Sequence, residues 1–390
     1  MVKVGRIVFI SMQILMINYE FPPVGGGAGR ATQNISKELV KMGTHVTVLT
    51  SAGKNITGNT VIDGVHIHFI KTHRKSVHHT GMFAVAEFLI KGMMYAKRLI
   101  YHHKYDLIHY FFSIPTGLLS FSLNKKIPYI VSLRGGDVPE YISGEVQYLH
   151  QVMQPLNRTI WRGASDIVAL SHDLGKVAKI IEPERDYRVI YNGVDTDRFK
   201  PSSHAKQNRL EIQLLSVCRL LPWKGLQYLL TALQLIDNQR IHLTIVGTGH
   251  YEQVLKKQTV ASNLTNRVSF VGAIAHEQLP EIYNQADIFV LPSFGDSFGQ
   301  VFTEAMACGL PVIAARHGGV QEFVEDGING FLVPPHDSKT LAIMIDRLAV
   351  SPKLRTTMRE NNIQKVKSHF SWYYIAKQYK GVYKQVLQSV

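Results

Sequence analysis

Two acidic residues, Asp296 and Glu304, follow a predicted apolar strand at residues 288–291, within the stretch LPSFGDSFGQVFTEAMACG. Asp296 lies in a Gly-rich turn, and Glu304 lies one to two turns into the helix predicted next. The N-terminus of a helix offers unpaired N–H groups and the positive end of its dipole, where a phosphate ester can bind. Carboxylates beside that phosphate suit neutral sugar hydroxyls, so the pattern indicates a nucleotide-sugar pocket. Alternatively, Glu304 is an exposed first-turn acid that favours the dipole.

Two cations, Arg219 and Lys224, follow another predicted strand at residues 214–217. A guanidinium can bind two phosphate oxygens, and an ammonium adds a compact charge. A leaving nucleoside diphosphate gains charge as its glycosidic bond breaks, so cations here would stabilise the transition state more than the ground state. The alternative is two ordinary solvated loop cations.

A run of glycines, Gly25, Gly26 and Gly27, follows Pro22 and Pro23 and precedes a predicted helix. Glycines let the backbone approach a diphosphate or a sugar closely. Nicotinamide dinucleotide sites use similar loops, but here the Gly-x-Gly-x-x-Gly spacing is imperfect and no acid plainly ends the second strand. We therefore disfavour a nicotinamide site.

Apolar strands alternate with helical patterns along the whole chain, which predicts an α/β fold with parallel, doubly wound sheets. In such sheets ligands bind at the carboxyl ends of the strands. Helices are predicted, for example, at residues 30–42 and 226–236. The predicted strands are residues 13–17, 45–50, 107–110, 129–133, 167–170, 189–191, 214–217, 243–246, 268–271, 288–291 and 312–315.

The length of 390 residues predicts two domains. The polar stretch KPSSHAKQNR at residues 200–209 is the best linker candidate. We divide the chain into residues 1–199, 200–370 and a final helical segment, 371–390. Because residues 13–17 must form the first strand, we interpret residues 1–11 as an extension rather than a secretory signal.

Several motifs together resemble retaining glycosyltransferase family 4 (glycosyl transferases group 1), which has the GT-B fold. They are FPPVGGGAGRATQNISKELVKMGTHVTVLT, YNGVDTDRFKP, SVCRLLPWKGLQYLLTAL, TIVGTG, NRVSFVGAI, the stretch around Asp296 and Glu304, and FSWYYIAKQYKGVY. The resemblance covers nearly the whole chain. It implies two Rossmann-like domains facing a cleft, with the acceptor bound by 1–199, the nucleotide sugar by 200–370, and the last helix returning to the first domain.

The resemblance also implies roles for individual residues. Arg219, Lys224 and Asp296 would be catalytic; Asp296 stands where the family usually has Glu, which leaves donor choice open. No cofactor and no metal are implied, since the nucleotide diphosphate sugar is a substrate and we identify no Asp-x-Asp sequence suited to a divalent ion. The expected donor-binding residues are Gly26, Gly27, Gly272, Ile274, Phe298, Gly299, Gln300 and Glu304.

Candidate acceptor-side residues are His109, Arg134 and Asp137, which end two predicted strands. The family commonly has histidines where this chain has Phe111 and Arg134. His109 either touches the sugar or supports the strand end. Arg134 and Asp137 either face the cleft or form a structural pair that steadies their loop.

The net charge of +14 favours an acidic partner. We find no zinc-finger spacing, recognition helix or aromatic-basic RNA motif, which argues against nucleic acid. Cations at Lys71, Arg74 and Lys75 precede an apolar helical pattern, so we expect either a helix packed on the sheet or a surface that meets anionic lipid. No run of residues is long and apolar enough to cross a membrane.

Together with the resemblance, these features predict a cytoplasmic glycosyltransferase, with peripheral association at the inner face of the membrane as an open alternative. It would move a sugar from a nucleotide sugar to a glycan, lipid-linked or small-molecule acceptor in surface polysaccharide or glycolipid synthesis. Loss of the usual histidine keeps open a catalytically silent sugar-nucleotide binding or scaffold protein. A GT-B epimerase also stays open, while a phosphorylase would need a pyridoxal-lysine site that we do not identify.

Overall fold

A computed structural model describes residues 11–53, 56, 58–74, 81–123, 126–138, 145–202 and 211–389, apart from the side chains of 145–151. The chain forms two compact units. Unit 1 contains the described residues up to Ala169, then Gly175–Ile190 and the residues from Ile375 onward. Unit 2 contains Leu170–Leu174 and Tyr191–Tyr374.

Unit 1 is built on an eight-stranded sheet in the order β3-β4-β2-β1-β5-β6-β7-β8. All neighbouring strands are parallel except β3 and β4, which are antiparallel. The central strands are continuous apolar runs because helices cover both faces of a parallel sheet. The strands are β1 (Gln13–Ile17), β2 (His45–Ser51), β3 (Gly58–Ile62), β4 (Val65–Ile70), β5 (Leu107–Phe111), β6 (Tyr129–Ser132), β7 (Asp166–Ala169) and β8 (Arg188–Val189).

The helices associated with the first sheet alternate with its strands along the chain. A 3₁₀ helix, Thr116–Phe121, lies between β5 and β6. The α-helices are α1 (Gly27–Lys41), α2 (Met82–His102), α3 (Glu145–Gly163), α4 (His172–Ile181) and the C-terminal α11 (Trp372–Gln388).

Unit 2 is built on a six-stranded parallel sheet in the order β11-β10-β9-β12-β13-β14. This is the Rossmann order, which reverses direction between β9 and β12. Its strands are β9 (Ile212–Val217), β10 (Ile241–Val246), β11 (Val268–Gly272), β12 (Ile288–Leu291), β13 (Val312–Ala315) and β14 (Gly330–Val333). Its helices are α5 (Leu226–Gln234), α6 (Glu252–Ala261), α7 (Leu279–Gln285), α8 (Gln300–Ala307), α9 (Ser338–Ala349) and α10 (Pro352–His369).

The predicted doubly wound α/β organisation is confirmed, since each predicted strand overlaps a strand of the structure. The sequence reading missed β14 and the β3–β4 hairpin. Every residue of β3 is exposed, so this strand carries no buried apolar pattern. Its turn is Asp63–Gly64, with φ of 51° and 77°. Asp-Gly is a preferred sequence for hairpin turns, because both central residues of such turns have positive φ. The Asp63–Gly64 dipeptide was therefore the sequence signal for this hairpin.

The two units divide at Ile190–Tyr191 rather than after Phe199. Residues 191–199 belong to unit 2 because their aromatic rings pack there. The Tyr191 ring lies 5.8 Å from that of Phe298, and the Phe199 ring lies 5.9 Å from that of Tyr283. Residues 1–10 and most of the proposed linker lie outside the described residues. The acceptor and donor roles of the two parts stay predictions.

Candidate active site

The predicted cations and the first acid converge at one edge of the sheet of unit 2. Strands β9 and β12 are hydrogen-bonded neighbours, with Leu214 paired to Ile288. Arg219 and Lys224 follow the carboxyl end of β9, and Asp296 follows that of β12. This is the point where the strand order reverses, which is where open α/β sheets bind their ligands.

An ion pair joins the two loops that leave these strands. Lys224 Nζ donates a hydrogen bond to Asp296 Oδ1, and the two side chains are only 11% and 20% exposed. Asp296 Oδ2 is buried and accepts no hydrogen bond among the described residues. Arg219 is exposed beside this pair. Burial opposes ionisation of Asp296, but the Lys224 ammonium, with a smaller contribution from Arg219, lowers its pKa below the usual value.

Backbone contacts fix the register of the same two loops. The carbonyl of Trp223 accepts hydrogen bonds from the Phe294 N–H at 2.9 Å and the Ser293 hydroxyl at 3.2 Å. Gly225 has a φ of 74°, and a Cβ there would lie 2.1 Å from the Pro292 carbonyl oxygen. Glycine is therefore required by both the backbone conformation and the close approach, and Lys224 is held against Asp296.

The Glu304 carboxylate in α8 is buried and accepts two side-chain hydrogen bonds. It is therefore not an exposed acid in the first turn of the helix. It is 4% exposed. His276 Nε2 donates to its Oε1 at 3.0 Å, and the Tyr283 hydroxyl donates to its Oε2 at 3.1 Å. Burial, followed by the charge of Glu304, raises the pKa of Tyr283, so this hydroxyl stays protonated. Each carboxylate oxygen keeps further lone pairs for a ligand's hydroxyls.

The sequence reading missed His276 and Tyr283 as partners of Glu304. His276 lies in the loop after β11, and Tyr283 lies in α7. His276 also packs on Phe199, with ring centroids 5.1 Å apart. His276 could have been identified from the sequence because it lies two residues after Ile274, which was already a candidate donor-binding residue.

The remaining donor-side candidates also lie near the carboxyl edge of this sheet. Gly272 ends β11 with a φ of 80° and accepts a hydrogen bond from Gly247 N at 2.7 Å. Ile274 is half-buried in the following loop. Phe298 is buried, and the Gln300 side chain is bound to the Gly193 carbonyl at 2.7 Å. The backbone at the start of α8, rather than these side chains, is thus available to a ligand.

Gly299 shapes the N-terminus of α8. It has a φ of 84°, and a Cβ at this position would lie 2.8 Å from the Phe302 ring. The glycine therefore permits the sharp entry into the helix, where the first N–H groups have no carbonyl partners four residues earlier. These groups suit an anionic phosphate.

In the glycine loop of unit 1, Gly25 packs tightly against Glu20, whereas Gly26 and Gly27 have free space beside them. Gly25 has a φ of 96°, and a Cβ there would lie 2.5 Å from Glu20 Cβ. Gly26 N donates to Glu20 Oε2 at 3.0 Å. A Cβ on Gly26 or Gly27 would meet nothing within 4 Å. The space beside these two glycines is therefore open, and their donor-binding role stays a prediction.

The candidate acceptor residue His109 belongs to the interior of unit 1. Its side chain has no exposed surface. His109 Nδ1 lies 2.8 Å from the Tyr383 hydroxyl, and Nε2 lies 2.7 Å from Ser132 Oγ. Burial, and to a smaller extent the charge of Arg134, lowers the pKa of His109 well below its usual value. The imidazole is therefore neutral, and the structure favours the supporting role over sugar contact.

Arg134 and Asp137 are also interior residues, at 8% and 1% exposure. Arg134 Nη2 donates to the Tyr379 hydroxyl at 3.3 Å, and its guanidinium lies 4.7 Å from the centre of the Phe111 ring. The Asp137 carboxylate accepts the backbone N–H groups of Ser113 and Arg134, both at 2.5 Å. Both residues are thus buried inside unit 1, which favours the structural pair over a pair that faces the acceptor.

No cluster of three or more His, Cys, Asp or Glu suited to a metal ion occurs among the described residues. Asp195 and Asp197 do have Asp-x-Asp spacing. Asp195 Oδ1 accepts the backbone N–H groups of Asp197 and Arg198 at 3.1 and 3.2 Å, so this carboxylate caps a turn. Within the described ranges, no helix has both the length and the apolar content needed to span a bilayer.

Two α/β units, one of them a Rossmann sheet with cations and acids at its switch point, define a nucleotide-binding class of protein. The sequence matches the family model Glycosyltransferase Family 4 over residues 25–198 and the model Glycosyl transferases group 1 over residues 197–365. Together these matches run from residue 25 to residue 365, so the chain belongs to the group 1 and family 4 glycosyltransferases.

Full-length relatives support this assignment. The N-acetyl-alpha-D-glucosaminyl L-malate synthase of Bacillus anthracis is 25% identical over 381 residues, covering 94% of this chain and 96% of that protein. The GDP-mannose-dependent alpha-(1-6)-phosphatidylinositol monomannoside mannosyltransferase of Mycolicibacterium smegmatis is 28% identical over 370 residues, covering 88% and 91%. The sucrose-phosphate synthase structure from Thermosynechococcus elongatus matches with a TM-score of 0.83 and 26% identity, covering 97% and 100%. The GT-B fold expected from the sequence is thereby confirmed.

Proposed function

We propose that this glycosyltransferase moves a hexosyl group from a nucleoside diphosphate sugar to an acceptor hydroxyl and retains the anomeric configuration. The observation that carries the proposal is the buried Lys224–Asp296 pair with Arg219 beside it, at the switch point of a Rossmann sheet. Cations placed there suit a diphosphate, and the buried carboxylate suits a sugar hydroxyl. The diphosphate of the donor would therefore contact cations, and its sugar would contact a carboxylate.

Glu304 supports a nucleoside as the third part of the donor. A carboxylate held by His276 and Tyr283 is a fixed acceptor for vicinal hydroxyls, such as those of ribose. The open N-terminus of α8 lies four residues earlier in the chain and suits the phosphates. The loop of Gly272 and Ile274 would offer its backbone to the base.

In the proposed reaction, the bond between the anomeric carbon and the diphosphate oxygen breaks while the acceptor oxygen bonds to the same face of that carbon. The acceptor proton passes to the departing phosphate oxygen, so atoms and charge balance without a protein base. Arg219 and Lys224 stabilise the charge that develops on the leaving diphosphate. Asp296 positions the sugar through its hydroxyls.

The acceptor is proposed only as a class, a hydroxyl of a glycan, a lipid-linked sugar or a small metabolite. The relatives named above are called an N-acetyl-alpha-D-glucosaminyl L-malate synthase and a phosphatidylinositol monomannoside mannosyltransferase, so the names indicate chemically different acceptors within the family. We propose synthesis of surface polysaccharide or glycolipid, at the cytoplasmic face of a membrane. We also propose that the reaction needs no metal ion or cofactor, because protein cations can neutralise the diphosphate.

The test is donor turnover by the full-length protein with a panel of nucleoside diphosphate sugars, followed by NMR of the product's anomeric centre. We expect release of nucleoside diphosphate and a product of retained configuration. Lys224→Ala should lower turnover about ten- to a hundredfold, the equivalent of one charge-assisted contact. The matched control is Lys256→Ala, which removes a lysine bound to Glu252 in α6.

Three outcomes would contradict the proposal. An inverted product would exclude the front-face reaction, and an unchanged rate in both Arg219→Ala and Lys224→Ala would exclude the diphosphate role of these cations. Binding of a nucleotide sugar with no turnover on any acceptor offered would instead support the silent sugar-nucleotide binder.

A further inference from the structure

Helix α2 carries an apolar ridge along its outermost line. The ridge consists of Phe83, Ile90, Met94 and Tyr101, which are 73%, 66%, 60% and 85% exposed. Spacings of seven, four and seven residues place these side chains within about 40° of one another around the helix. At 1.5 Å per residue the ridge is about 27 Å long. It is therefore a continuous feature rather than scattered single residues.

The opposite face of α2 is already used by the fold. Ala84, Phe88, Gly92, Ala96 and Leu99 are buried there. A surface helix normally turns a polar face to solvent, whereas α2 is apolar on its inner and its outer face. Contiguous exposed apolar surface of this kind marks an interaction site.

The charges beside the ridge indicate what the partner is. Lys97 and Arg98 are exposed on its two flanks, and Lys104 is exposed just beyond the helix. The single acid of α2, Glu87, is only 12% exposed and is bound by Lys91 Nζ and by the backbone N–H of His73. The ridge is thus bordered by cations, and the acid on this helix is already neutralised.

We propose that α2 lies in the interfacial region of an anionic bilayer, with the ridge inserted among the acyl chains and Lys97 and Arg98 at the phosphate level. An apolar face flanked by basic residues is the arrangement of helices that bind lying in the membrane plane. A second copy of this chain suits the ridge less well than an anionic surface, because each copy carries basic residues beside the ridge and a net charge of +14.

The sequence favoured lipid contact by Lys71, Arg74 and Lys75 together with the helix after them, and the structure changes the part played by these cations. Arg74 was expected to face the lipid, but it is 8% exposed, and its Nη1 donates to the Tyr19 carbonyl and to Ser51 Oγ, both at 2.9 Å. Lys71 is exposed, and Lys75 lies outside the described residues. Insertion of the ridge, rather than adsorption of these cations, would provide most of the binding. Binding should therefore weaken with salt without disappearing.

The experiment is co-sedimentation of the full-length protein with vesicles of phosphatidylcholine alone or mixed with phosphatidylglycerol. We expect binding to the anionic vesicles. The double variant Ile90→Ser/Met94→Ser should weaken it by at least about tenfold, since two apolar side chains lose their burial in the bilayer. Lys97→Glu/Arg98→Glu should weaken binding chiefly at low salt. The matched control, Ile343→Ser, alters an isoleucine that is 60% exposed on α9 and should change nothing.

A second measurement locates the inserted surface. Ile90→Trp should show blue-shifted emission with anionic vesicles and be quenched by brominated acyl chains. Donor turnover on a soluble acceptor should be unchanged in all ridge variants, which separates this proposal from the proposed function. Failure of the wild type to bind anionic vesicles, or equal binding by the Ile90→Ser/Met94→Ser variant, would overturn the proposal. So would a dimer in sedimentation velocity that the ridge variant converts to monomer, because the partner would then be a second copy.

Discussion

At the scale of single residues, the candidate site depends on two largely buried charges. Each is stable only because a side chain of opposite charge lies beside it. Lys224 and Asp296 have side chains that are 11% and 20% exposed, and each neutralises the other. Removing one partner of such a pair leaves the other as a largely buried, uncompensated charge, which destabilises a protein more than removing both. Stability and catalysis should therefore separate in variants of this pair.

We predict that Lys224→Ala lowers the free energy of unfolding by roughly 1–3 kcal/mol. The double variant Lys224→Ala/Asp296→Ala should recover part of this loss, because no lone carboxylate remains, yet its donor turnover should stay as low as that of Lys224→Ala or lower. Urea unfolding of the four members of this double-mutant cycle measures the coupling. Additive losses would show that the two side chains do not interact in solution.

A second residue-scale prediction concerns the support of Glu304. Tyr283→Phe removes the hydroxyl that donates to Glu304 Oε2 but keeps the buried ring. We expect kcat/KM for the donor to fall roughly threefold to tenfold, mostly through KM, because the carboxylate loses one of its two holding bonds. Tyr373→Phe, at a tyrosine 58% exposed, is the control. Unchanged donor kinetics in both Tyr283→Phe and His276→Ala would mean that donor binding does not depend on the hydrogen bonds from these residues to Glu304.

At the scale of elements, two loops form the site because they are joined through their backbones. The turn Pro222–Lys224 lies against the chain after β12, and Gly225 permits this approach. The elements themselves are ordinary parts of a Rossmann sheet. Their chemistry arises from the contact between these two loops.

We predict that Gly225→Ala is much more damaging than Gly327→Ala. Both glycines have positive φ, 74° and 77°, so both variants suffer the same backbone strain of about 1–2 kcal/mol. A Cβ at Gly327 meets nothing within 4 Å, whereas a Cβ at Gly225 collides with the Pro292 carbonyl. Melting temperature and donor turnover should both fall further in Gly225→Ala. Equal losses in the two variants would show that strain alone, and not separation of the loops, matters.

The elements also show what a sequence can and cannot reveal. Buried parallel strands such as β1 and β12 are uninterrupted apolar runs, so their positions were predictable. The exposed strand β3 has no such pattern and was missed. The proximity of Lys224 and Asp296 could be anticipated, because both residues follow the carboxyl ends of strands that neighbour each other in the sheet.

Contacts between residues far apart in sequence could not be predicted in this way. His276 and Glu304 are in contact across 28 positions, and His109 and Tyr383 across 274. Periodicity told us that His109 and Arg134 stand near strand ends. It gave no information that tyrosines of α11 contact both side chains, so the sequence alone favoured these residues as acceptor-side candidates.

At the scale of the whole molecule, unit 1 has a buried polar interior whose protonation affects global stability. The folded pKa of His109 lies well below its usual 6.5, so below that pH the unfolded chain takes up a proton that the folded chain refuses. The contribution of His109 to stability is thus complete above pH 6.5 and falls as the pH drops. Asp137 acts in the opposite direction, because burial raises its pKa from 3.8 to about 6 and the folded state takes up the proton first.

We predict that the stability difference between wild type and His109→Gln shrinks by about 1 kcal/mol as the pH falls from about 7 to 5.5. The difference between the two proteins removes the contributions of Asp137 and of the other histidines. Urea unfolding at a series of pH values measures it, with His250→Gln at an exposed position as the control. A difference that does not vary with pH would mean that His109 titrates alike in the folded and unfolded chains.

The Lys224–Asp296 pair also affects how strongly the site would discriminate the nucleotide sugar from the nucleoside diphosphate product. A site whose charges already neutralise each other binds by exchange of partners: an incoming phosphate withdraws the ammonium from the carboxylate. In the proposed reaction a complete donor would compensate both ends, since its phosphate would pair with Lys224 and its sugar hydroxyls would donate to Asp296. A spent nucleoside diphosphate would compensate only the lysine and leave the carboxylate without a partner. The pair would then favour departure of the product, and inhibition by the free nucleotide would be weaker than its shared phosphates suggest.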